Sequence, residues 1–352
     1  MTMNYRRLGN SGLSVSSLTL GTMGFGTETP EEAAFAILDA FLEAGGNMID
    51  TADVYGGGAS EELLGRWRKS RPDTTSRLVI ATKARFGTGS DVNDAGTSRP
   101  HLHRALNTSL RRLGVETIDL YQMHGWDPLT PVEENLSFLD AAVRAGKIHY
   151  VGLSNFTGWQ LQLTLSTARA MGLQVPITLQ QQYNLACREI EYEVIPAALH
   201  NGIGLLPWSP LAGGFLSGKY ARGADLNSDG TRYSNGVPMF DYIGDKLAAK
   251  EQNWTIVDTV RQIANEIGAT PSQVALSWVA NRPSVSSTII GARTMEQLNN
   301  NLRAADLALD ADALSRLDAV SAPTPDEYPY GRFGSLQRGR YVDSSDQALR
   351  EL

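Results

Sequence analysis

Eight short apolar segments, separated by longer amphipathic stretches, constrain the fold of this chain more than any other feature of its sequence. The segments are residues 16–20, 47–50, 78–82, 117–123, 148–154, 177–180, 203–208 and 286–291. Their lengths fit buried strands, and the stretches between them have the apolar spacing of helices. Strands that alternate with helices are typical of parallel βα units. The sequence therefore predicts an α/β fold.

Three of the amphipathic stretches begin with the same helix-start signal. In each, a Thr is followed by Pro and, three residues after the Thr, by Glu or Gln. The pairs are Thr29 with Glu32, Thr130 with Glu133 and Thr270 with Gln273. This spacing is that of a capping box with Pro in the first turn. We therefore expect a Thr side chain to cap each of these helices.

The number of βα units indicates a closed barrel. With no low-complexity break and no Gly-rich phosphate loop after the first strand, eight units favour a (β/α)8 TIM barrel over a doubly wound sheet. Residues 3–15, with Gly9 to Gly12 at their centre, predict an N-terminal hairpin that closes the bottom of the barrel. We expect a single domain over residues 1–352, with long βα loops at the C-terminal face. These include a loop excursion at 220–242, and a tail follows at 322–352.

The charge balance and the cysteine count exclude several classes of protein. The 31 Lys and Arg against 38 Asp and Glu give a formal net charge of −7, scattered along the chain, which argues against a nucleic-acid partner. The single cysteine, Cys187, cannot form an intrachain disulfide or a thiolate metal site. No apolar run is long enough to span a bilayer, so we expect no membrane partner and a cytoplasmic location.

Polar side chains follow consecutive predicted strands at the end where a barrel builds its active site. Asp50 ends the second segment, Lys83 follows the third, and His124 follows the fourth. Tyr55 lies five residues after Asp50. Each of these has an ordinary structural explanation by itself, but a Lys after so apolar a strand is costly unless it is paired. Asp50 on the neighbouring strand is its natural partner.

This set of side chains supports proton transfer coupled to hydride transfer. A phenol with a reference pKa of about 10 is a poor proton donor near neutrality unless a cation stabilises the phenolate. Lys83 beside Tyr55 would supply that cation, and Asp50 would hold the Lys. His124 could hydrogen-bond to a carbonyl oxygen as negative charge develops on it. These roles are those of a carbonyl reductase.

The same residues lie in motifs that resemble those of the aldo-keto reductases. The motifs are GNMIDTADVYG…SEELLG (46–65), LVIATK (78–83), DLYQMHGWD (119–127), GKIHYVGLSNF (146–156), QQQYNL (180–185), PWSPLAGGFLSGKY (207–220) and IIGARTMEQLNNNL (289–302). The resemblance covers nearly the whole chain. It implies a barrel oxidoreductase that uses NADP(H) to reduce an aldehyde or ketone. The family's catalytic tetrad falls on Asp50, Tyr55, Lys83 and His124, with Tyr55 as proton donor.

The resemblance also assigns side chains to the nicotinamide and pyrophosphate. Ser154, Asn155 and Gln180 would bind the nicotinamide amide, Trp208 would stack on the ring, and Thr22 and Met23 would border the nicotinamide and substrate. The residues expected along the pyrophosphate are Ser209, Pro210, Leu211, Gly213 and Lys219.

The adenosine end depends on a cation for the 2′-phosphate of NADPH. Arg293 is the best candidate, because it follows Gly291 and Ala292 at the end of the eighth segment, where a helix N-terminus adds free N–H groups. Gln297, Asn300 and Asn301 would face the adenosine. Asn300 departs from the family pattern, in which many relatives carry Glu. Arg232 is expected to clamp the cofactor, and Arg222 competes for that role.

The substrate and the alternatives stay open at this point. Trp126 is expected beside a small-molecule carbonyl substrate, which could be an aryl or alkyl aldehyde or a sugar. His101 and His103 have a spacing seen in metal sites, but residues two apart point to different helix faces, so we expect no metal. A metal-dependent hydrolase would need more converging His and carboxylate side chains. A nucleotide-sensing regulatory subunit, like the barrel subunits of potassium channels, is the stronger alternative. The sequence leaves the oligomeric state open.

Overall fold

A parallel sheet of eight strands forms the centre of the molecule, which the computed structural model describes over residues 3–223, 226, 233 and 238–339. Its strands are β3 (Leu18–Gly21), β4 (Met48–Asp50), β5 (Val79–Ala84), β6 (Ile118–Met123), β7 (Ile148–Ser154), β8 (Thr178–Gln182), β9 (Gly204–Trp208) and β10 (Thr288–Ile290). They are ordered β10-β3-β4-β5-β6-β7-β8-β9, and Leu205 of β9 closes the circle by a parallel bridge to Val285. Every predicted segment overlaps one of these strands, so the (β/α)8 barrel is confirmed.

Helices follow the strands and pack around the barrel. They are α1 (Glu31–Glu43), α2 (Ala59–Ser70), α3 (Pro72–Thr75), α4 (Arg99–Leu113), α5 (Val132–Arg144), α6 (Gly158–Ala170), α7 (Val194–Asn201), α8 (Pro238–Ala249), α9 (Glu251–Ile267), α10 (Pro271–Ala280), α11 (Met295–Leu302), α12 (Ala311–Val320) and α13 (Arg332–Arg338). None of the helices in the described part of the chain has the length and apolar character needed to cross a membrane.

One of the three predicted capping boxes forms. Thr270 accepts a hydrogen bond from the backbone N–H of Gln273, whose side chain accepts one from the Thr270 N–H at 3.1 Å. The prediction is wrong for Thr130, because its hydroxyl donates to Asp127 Oδ2 at 2.7 Å and α5 begins after Pro131 without a side-chain cap. It is also wrong for Thr29, since α1 begins after Pro30 without a side-chain cap. A nearby carboxylate can therefore displace a local capping pattern.

The N-terminal hairpin closes the bottom of the barrel, as the sequence predicts. Its strands β1 (Tyr5–Arg7) and β2 (Ser14–Ser16) are antiparallel, and Leu8 and Val15 are buried against the barrel interior. Gly9, with φ of 57°, lies so close to the barrel that a Cβ there would meet the Ile177 carbonyl oxygen at 2.0 Å. Glycine is therefore required at the point where the hairpin turns into the barrel.

The two predicted excursions are described only in part. Within 220–242, Leu226 and Tyr233 are buried, and α8 begins at Pro238. In the tail, Tyr330 stacks on Tyr192 with ring centroids 5.1 Å apart. The remainder of 224–237 and residues 340–352 lie outside the described residues.

A cluster of buried polar side chains lies between the barrel and helices α2 and α4. Asp53 is 2% exposed and Glu61 is 0% exposed. Thr82 of β5 and Arg112 of α4 both contact Glu61, whereas no side chain of the described residues donates to the Asp53 carboxyl group. Burial and then the charge of Glu61 raise the pKa of Asp53 to about 8, against the opposing charge of Arg112. Asp53 is therefore protonated in the folded protein at neutral pH.

We expect the free energy of unfolding of the Asp53→Asn variant to depend less on pH than that of the wild type. Because the pKa of Asp53 rises from 3.8 to about 8 on folding, the folded state binds the extra proton between these values. The free energy of unfolding then falls as pH rises through that window, by up to about 1.4 kcal/mol per pH unit. Urea unfolding at pH 5 and pH 8 measures the slope, which should be flatter in the variant.

The control for this experiment is Asp73→Asn, an exposed aspartate on α3. Its stability should follow the wild-type pH dependence. An Asp53→Asn variant with the wild-type slope would show that Asp53 is not the protonated group.

Candidate active site

The C-terminal ends of β4 and β5 bring together an aspartate and a lysine that water does not reach. Asp50 is the last residue of β4, and Lys83 lies one residue before the end of β5. They are 2% and 0% exposed, and Lys83 Nζ lies 2.5 Å from Asp50 Oδ1. Lys83 Nζ also donates to the carbonyl oxygen of Thr51 at 2.7 Å. The two sequence-predicted residues therefore form one buried ion pair.

Two glutamines satisfy the other oxygen of Asp50. Gln122 of β6 donates to Asp50 Oδ2 at 3.2 Å and Gln180 of β8 donates to it at 2.8 Å. Burial alone would lower the pKa of Lys83, but the charges of Asp50 and Tyr55 outweigh it, so the pKa lies above its usual value. The ammonium therefore stays charged inside the barrel.

Tyr55 reaches this lysine from a short glycine-rich turn. The turn Tyr55–Gly58 follows β4, and Gly56 and Gly57 adopt positive φ of 58° and 66°. Lys83 Nζ donates to the Tyr55 hydroxyl at 3.2 Å and lies 4.8 Å from the ring centroid. A cation at this distance stabilises the phenolate form of a tyrosine.

His124 also lies beside Tyr55. Its ring centroid is 5.9 Å from that of Tyr55, and its backbone N–H donates to the Ala84 carbonyl at the end of β5. Burial, followed by the charges of Lys83 and Arg85, lowers the pKa of His124 to about 2. The imidazole is therefore neutral at physiological pH and can donate one N–H hydrogen bond.

The predicted nicotinamide residues contact one another at the ends of β7 to β9. Asn155, with φ of 58°, donates to the His124 carbonyl oxygen at 3.0 Å and to Ser154 Oγ at 3.1 Å. Trp208 Nε1 donates to Asn155 Oδ1 at 3.1 Å. Thr22 is buried, and its hydroxyl lies 3.1 Å from the Asp50 carbonyl oxygen, while Met23 is 37% exposed. Their contacts with a cofactor stay a prediction.

The segment after β9 turns sharply beside two cations. Ser209 has φ of 53°, and Gly213, with φ of 62°, donates its N–H to Ser209 Oγ at 3.2 Å. The predicted residues Pro210 and Leu211 lie within this turn. Burial and then the positive charge of Arg293 lower the pKa of Lys219, so the two cations lie close enough to repel each other. Lysine and arginine side chains are common partners of phosphate groups in proteins.

The N-terminal end of α11 lies next to Arg293. Thr294 caps this helix through the Gln297 N–H at 3.2 Å, and Gln297 Oε1 accepts the Arg293 N–H at 2.8 Å. Gly291 is exposed and Ala292 is buried. Arg293 Nη1 also lies 3.6 Å from Glu28 Oε2.

The two asparagines expected at the adenosine have structural partners. Asn301 is 5% exposed and donates to the Gly291 carbonyl oxygen at 3.1 Å. Asn300 Oδ1 accepts hydrogen bonds from Thr270 and Gln273 at the start of α10, both at 2.9 Å. Both side chains therefore hold α11 in place, and their contact with a cofactor stays a prediction.

An aromatic group surrounds the predicted substrate residue Trp126. Its ring centroid lies 5.4 Å from that of Phe156 and 5.4 Å from that of Trp159. Phe86 packs edge-on against His124 at 4.7 Å, and Arg85 lies over Phe86 and donates to the Trp126 carbonyl oxygen at 3.1 Å.

Sequence reasoning missed Arg85, Phe86 and Gln122. The polar Gln122 within the apolar segment 117–123 was a signal for an inward-facing partner. Nothing local marks Phe86 or Arg85, whose φ of 151° depends on the loop that follows β5.

Two further predictions concern the arginine expected to clamp the cofactor and the expected absence of a metal ion. Arg232 lies outside the described residues, and its competitor Arg222 is paired with Glu251 and Asp258. Within the described ranges, no group of three or more His, Cys, Asp or Glu side chains could hold a metal ion. His103 packs its ring on Phe138.

Known proteins of one family are similar to this chain over most of its length. The model of the Aldo/keto reductase family matches residues 17–322. "Uncharacterized oxidoreductase YrpG" of Bacillus subtilis is 37% identical over 344 residues, which cover 93% of this chain and 100% of that protein. "Versiconal hemiacetal acetate reductase" of Aspergillus parasiticus is 32% identical, covering 91% and 98%. "Probable voltage-gated potassium channel subunit beta" of Oryza sativa is 35% identical, covering 92% and 98%. The chain is an oxidoreductase barrel and belongs to the aldo/keto reductase family.

Proposed function

We propose that this protein reduces an aldehyde or ketone to the alcohol with NADPH, using Tyr55 as the proton donor. The observation that carries the proposal is the position of Lys83 Nζ, which contacts both Asp50 and the Tyr55 hydroxyl from a buried site. A charged lysine in a water-excluded site lowers the cost of removing the phenolic proton. Asp50 keeps that lysine charged and points it at Tyr55.

His124 has a separate role in this proposal. As a neutral imidazole with its pKa lowered to about 2, it cannot compete with Tyr55 as a cationic acid. It can instead donate a hydrogen bond to the carbonyl oxygen of the substrate as negative charge develops there. Tyr55 then transfers its proton to the same oxygen.

The residues around β9 and α11 fit a nicotinamide dinucleotide. Trp208, Ser154 and Asn155 would hold the nicotinamide, with Gln180 behind them at Asp50, and the Ser209–Gly213 turn would hold the pyrophosphate. Lys219 and Arg293 supply two cations whose charges act on each other, which suit the phosphate groups of NADP(H). The chemistry supplied by NADPH, when bound, is transfer of a hydride to the carbonyl carbon.

The side chains near His124 favour an aryl or alkyl carbonyl substrate over a sugar. Phe86 contacts the His124 ring, and Trp126 with Trp159 extends the aromatic surface. Apolar and aromatic walls bind the apolar part of a substrate, with few polar groups to orient it. A nucleotide-sensing regulatory subunit is not favoured, because such a role does not require the buried lysine to contact Tyr55.

Replacing Tyr55 by Phe should slow reduction strongly while leaving cofactor binding intact. The substitution removes the proton donor and little else, so kcat should fall by about 10²–10⁴-fold. NADPH oxidation with a panel of aryl and alkyl aldehydes measures turnover, and a thermal-shift titration measures NADPH binding. Tyr5→Phe, which changes an exposed tyrosine on the hairpin, is the control. Turnover within tenfold of wild type in Tyr55→Phe would contradict the assignment.

Replacing Arg293 by Ala should weaken NADPH binding and leave NADH binding almost unchanged. Hydrogen bonds from a charged group contribute about 1.5–3 kcal/mol, which corresponds to roughly a tenfold to hundredfold change in Kd. Only NADPH carries the 2′-phosphate. Fluorescence titration with both nucleotides measures the difference, with the exposed Arg303→Ala as control. Equal losses of affinity for the two nucleotides would show that Arg293 does not recognise the phosphate.

A further inference from the structure

One arginine outside the tetrad holds the turn that carries Tyr55 from both sides. Arg112, in the last turn of α4, donates from Nη1 to the carbonyl oxygen of Asp53 at 3.1 Å. It donates from Nη2 to the carbonyl oxygen of Gly57 at 3.2 Å. These two carbonyls lie two residues before and two residues after Tyr55. One planar guanidinium therefore fixes both ends of a five-residue stretch.

The stretch between these carbonyls needs such a restraint. Gly56 and Gly57 are exposed, both adopt positive φ, and glycine has the largest conformational freedom of any residue. Within the turn, the Tyr55 N–H donates to Ala52 at 3.2 Å and the Gly57 N–H donates to Val54 at 3.0 Å. Both bonds join residues within 52–57, so neither of these two bonds ties the stretch to the barrel.

Gly58 fits the guanidinium of Arg112. It has φ of 106°, and a Cβ at this position would lie 2.1 Å from Arg112 Cζ. The backbone therefore passes directly against the guanidinium, which leaves no room for a side chain. Gly58, the third glycine of the YGGG sequence, therefore allows the backbone to approach Arg112 this closely.

The same guanidinium is connected to the strand that carries Lys83. Arg112 Nη1 lies 3.3 Å from Glu61 Oε2, and Glu61 Oε1 accepts the Thr82 hydroxyl at 2.7 Å. Thr82 precedes Lys83 on β5, and the Asp53 N–H donates to the Lys83 carbonyl at 3.1 Å. Glu61 is fully buried. The chain of contacts therefore fixes the Tyr55 turn relative to the strand of Lys83.

We propose that Arg112 is a positioning residue that sets the distance between the Tyr55 hydroxyl and Lys83. This inference rests on the proposed function, because the distance matters only if Tyr55 is the proton donor. The Arg112 side chain donates to backbone carbonyls on both sides of Tyr55, so it acts on Tyr55 through the backbone. A misplacement of about 1 Å at a reacting group can cost about 10²-fold in rate.

The test compares Arg112→Lys with Arg111→Lys. Lysine keeps a positive charge near Glu61. Its single ammonium group cannot replace the planar guanidinium, which donates to the carbonyls of Asp53 and Gly57 at once. Arg111 is the preceding, exposed residue of the same helix turn and contacts Thr108. In Arg112→Lys we expect kcat at saturating NADPH and substrate to fall by about 10–100-fold, with Kd for NADPH unchanged. Arg111→Lys should behave as the wild type.

A second readout does not depend on activity. Hydrogen exchange of the protein without cofactor should speed up in the segment 53–58 of Arg112→Lys and stay unchanged in β5 and α4. Added methylguanidinium should partly restore kcat in Arg112→Ala, because it can occupy the space of the lost guanidinium. Neither readout would respond in this way if Arg112 only added to global stability.

The outcomes separate this inference from the proposed function. If the wild type reduces carbonyls and Arg112→Lys keeps kcat within twofold, the positioning role is wrong. It is also wrong if kcat, Kd for NADPH and exchange throughout the protein change together. If the wild type shows no turnover, the proposed function fails. The exchange of segment 53–58 then still decides whether Arg112 holds the turn.

Discussion

The buried ion pair of Lys83 and Asp50 is the contact on which the rest of the structure most depends. Removing an ammonium and a carboxylate from water costs several kcal/mol for each ion, and only close pairing with further hydrogen bonds offsets that cost. The barrel allows close pairing because β4 and β5 are neighbours, so Lys83 Nζ lies 2.5 Å from Asp50 Oδ1. Gln122 and Gln180 then satisfy the remaining carboxylate oxygen from β6 and β8. Loss of either charged partner would leave the other uncompensated inside the barrel.

Different kinds of structural element position the side chains of the candidate active site. The strands fix Asp50 and Lys83 as rigid elements, whereas Tyr55 approaches on a glycine-rich turn that adopts backbone angles few other residues tolerate. A phenol on a turn can be placed where a strand cannot reach, but the turn must then be held from outside. The buried carboxyl of Asp53 and the guanidinium of Arg112 lie at this boundary between the barrel and the helical layer.

Much of the fold and of the candidate active site followed from the sequence, for physical reasons that can be stated. Strands and helices have different apolar periods, so the eight segments and the stretches between them were separable. Asp50, Lys83 and His124 were found because a parallel barrel brings the ends of its strands together. The Thr130 cap failed because Asp127, three residues earlier in the chain, accepts its hydroxyl, and a capping pattern read from Thr, Pro and Glu alone does not include that residue. Arg112 was missed because its contact is long-range, since 59 residues separate it from the Asp53 carbonyl that it binds.

The hairpin under the barrel has a consequence for how this molecule can change over evolutionary time. Leu8 and Val15 fill the end of the barrel opposite Tyr55, and Gly9 lies against the backbone there. The hairpin therefore packs against one end of the strands, and the candidate active site lies at the other end. Loops such as the one that carries Arg85 and Phe86 can be exchanged without disturbing the sealed end. A lineage built on this plan can acquire new substrates at little cost in stability.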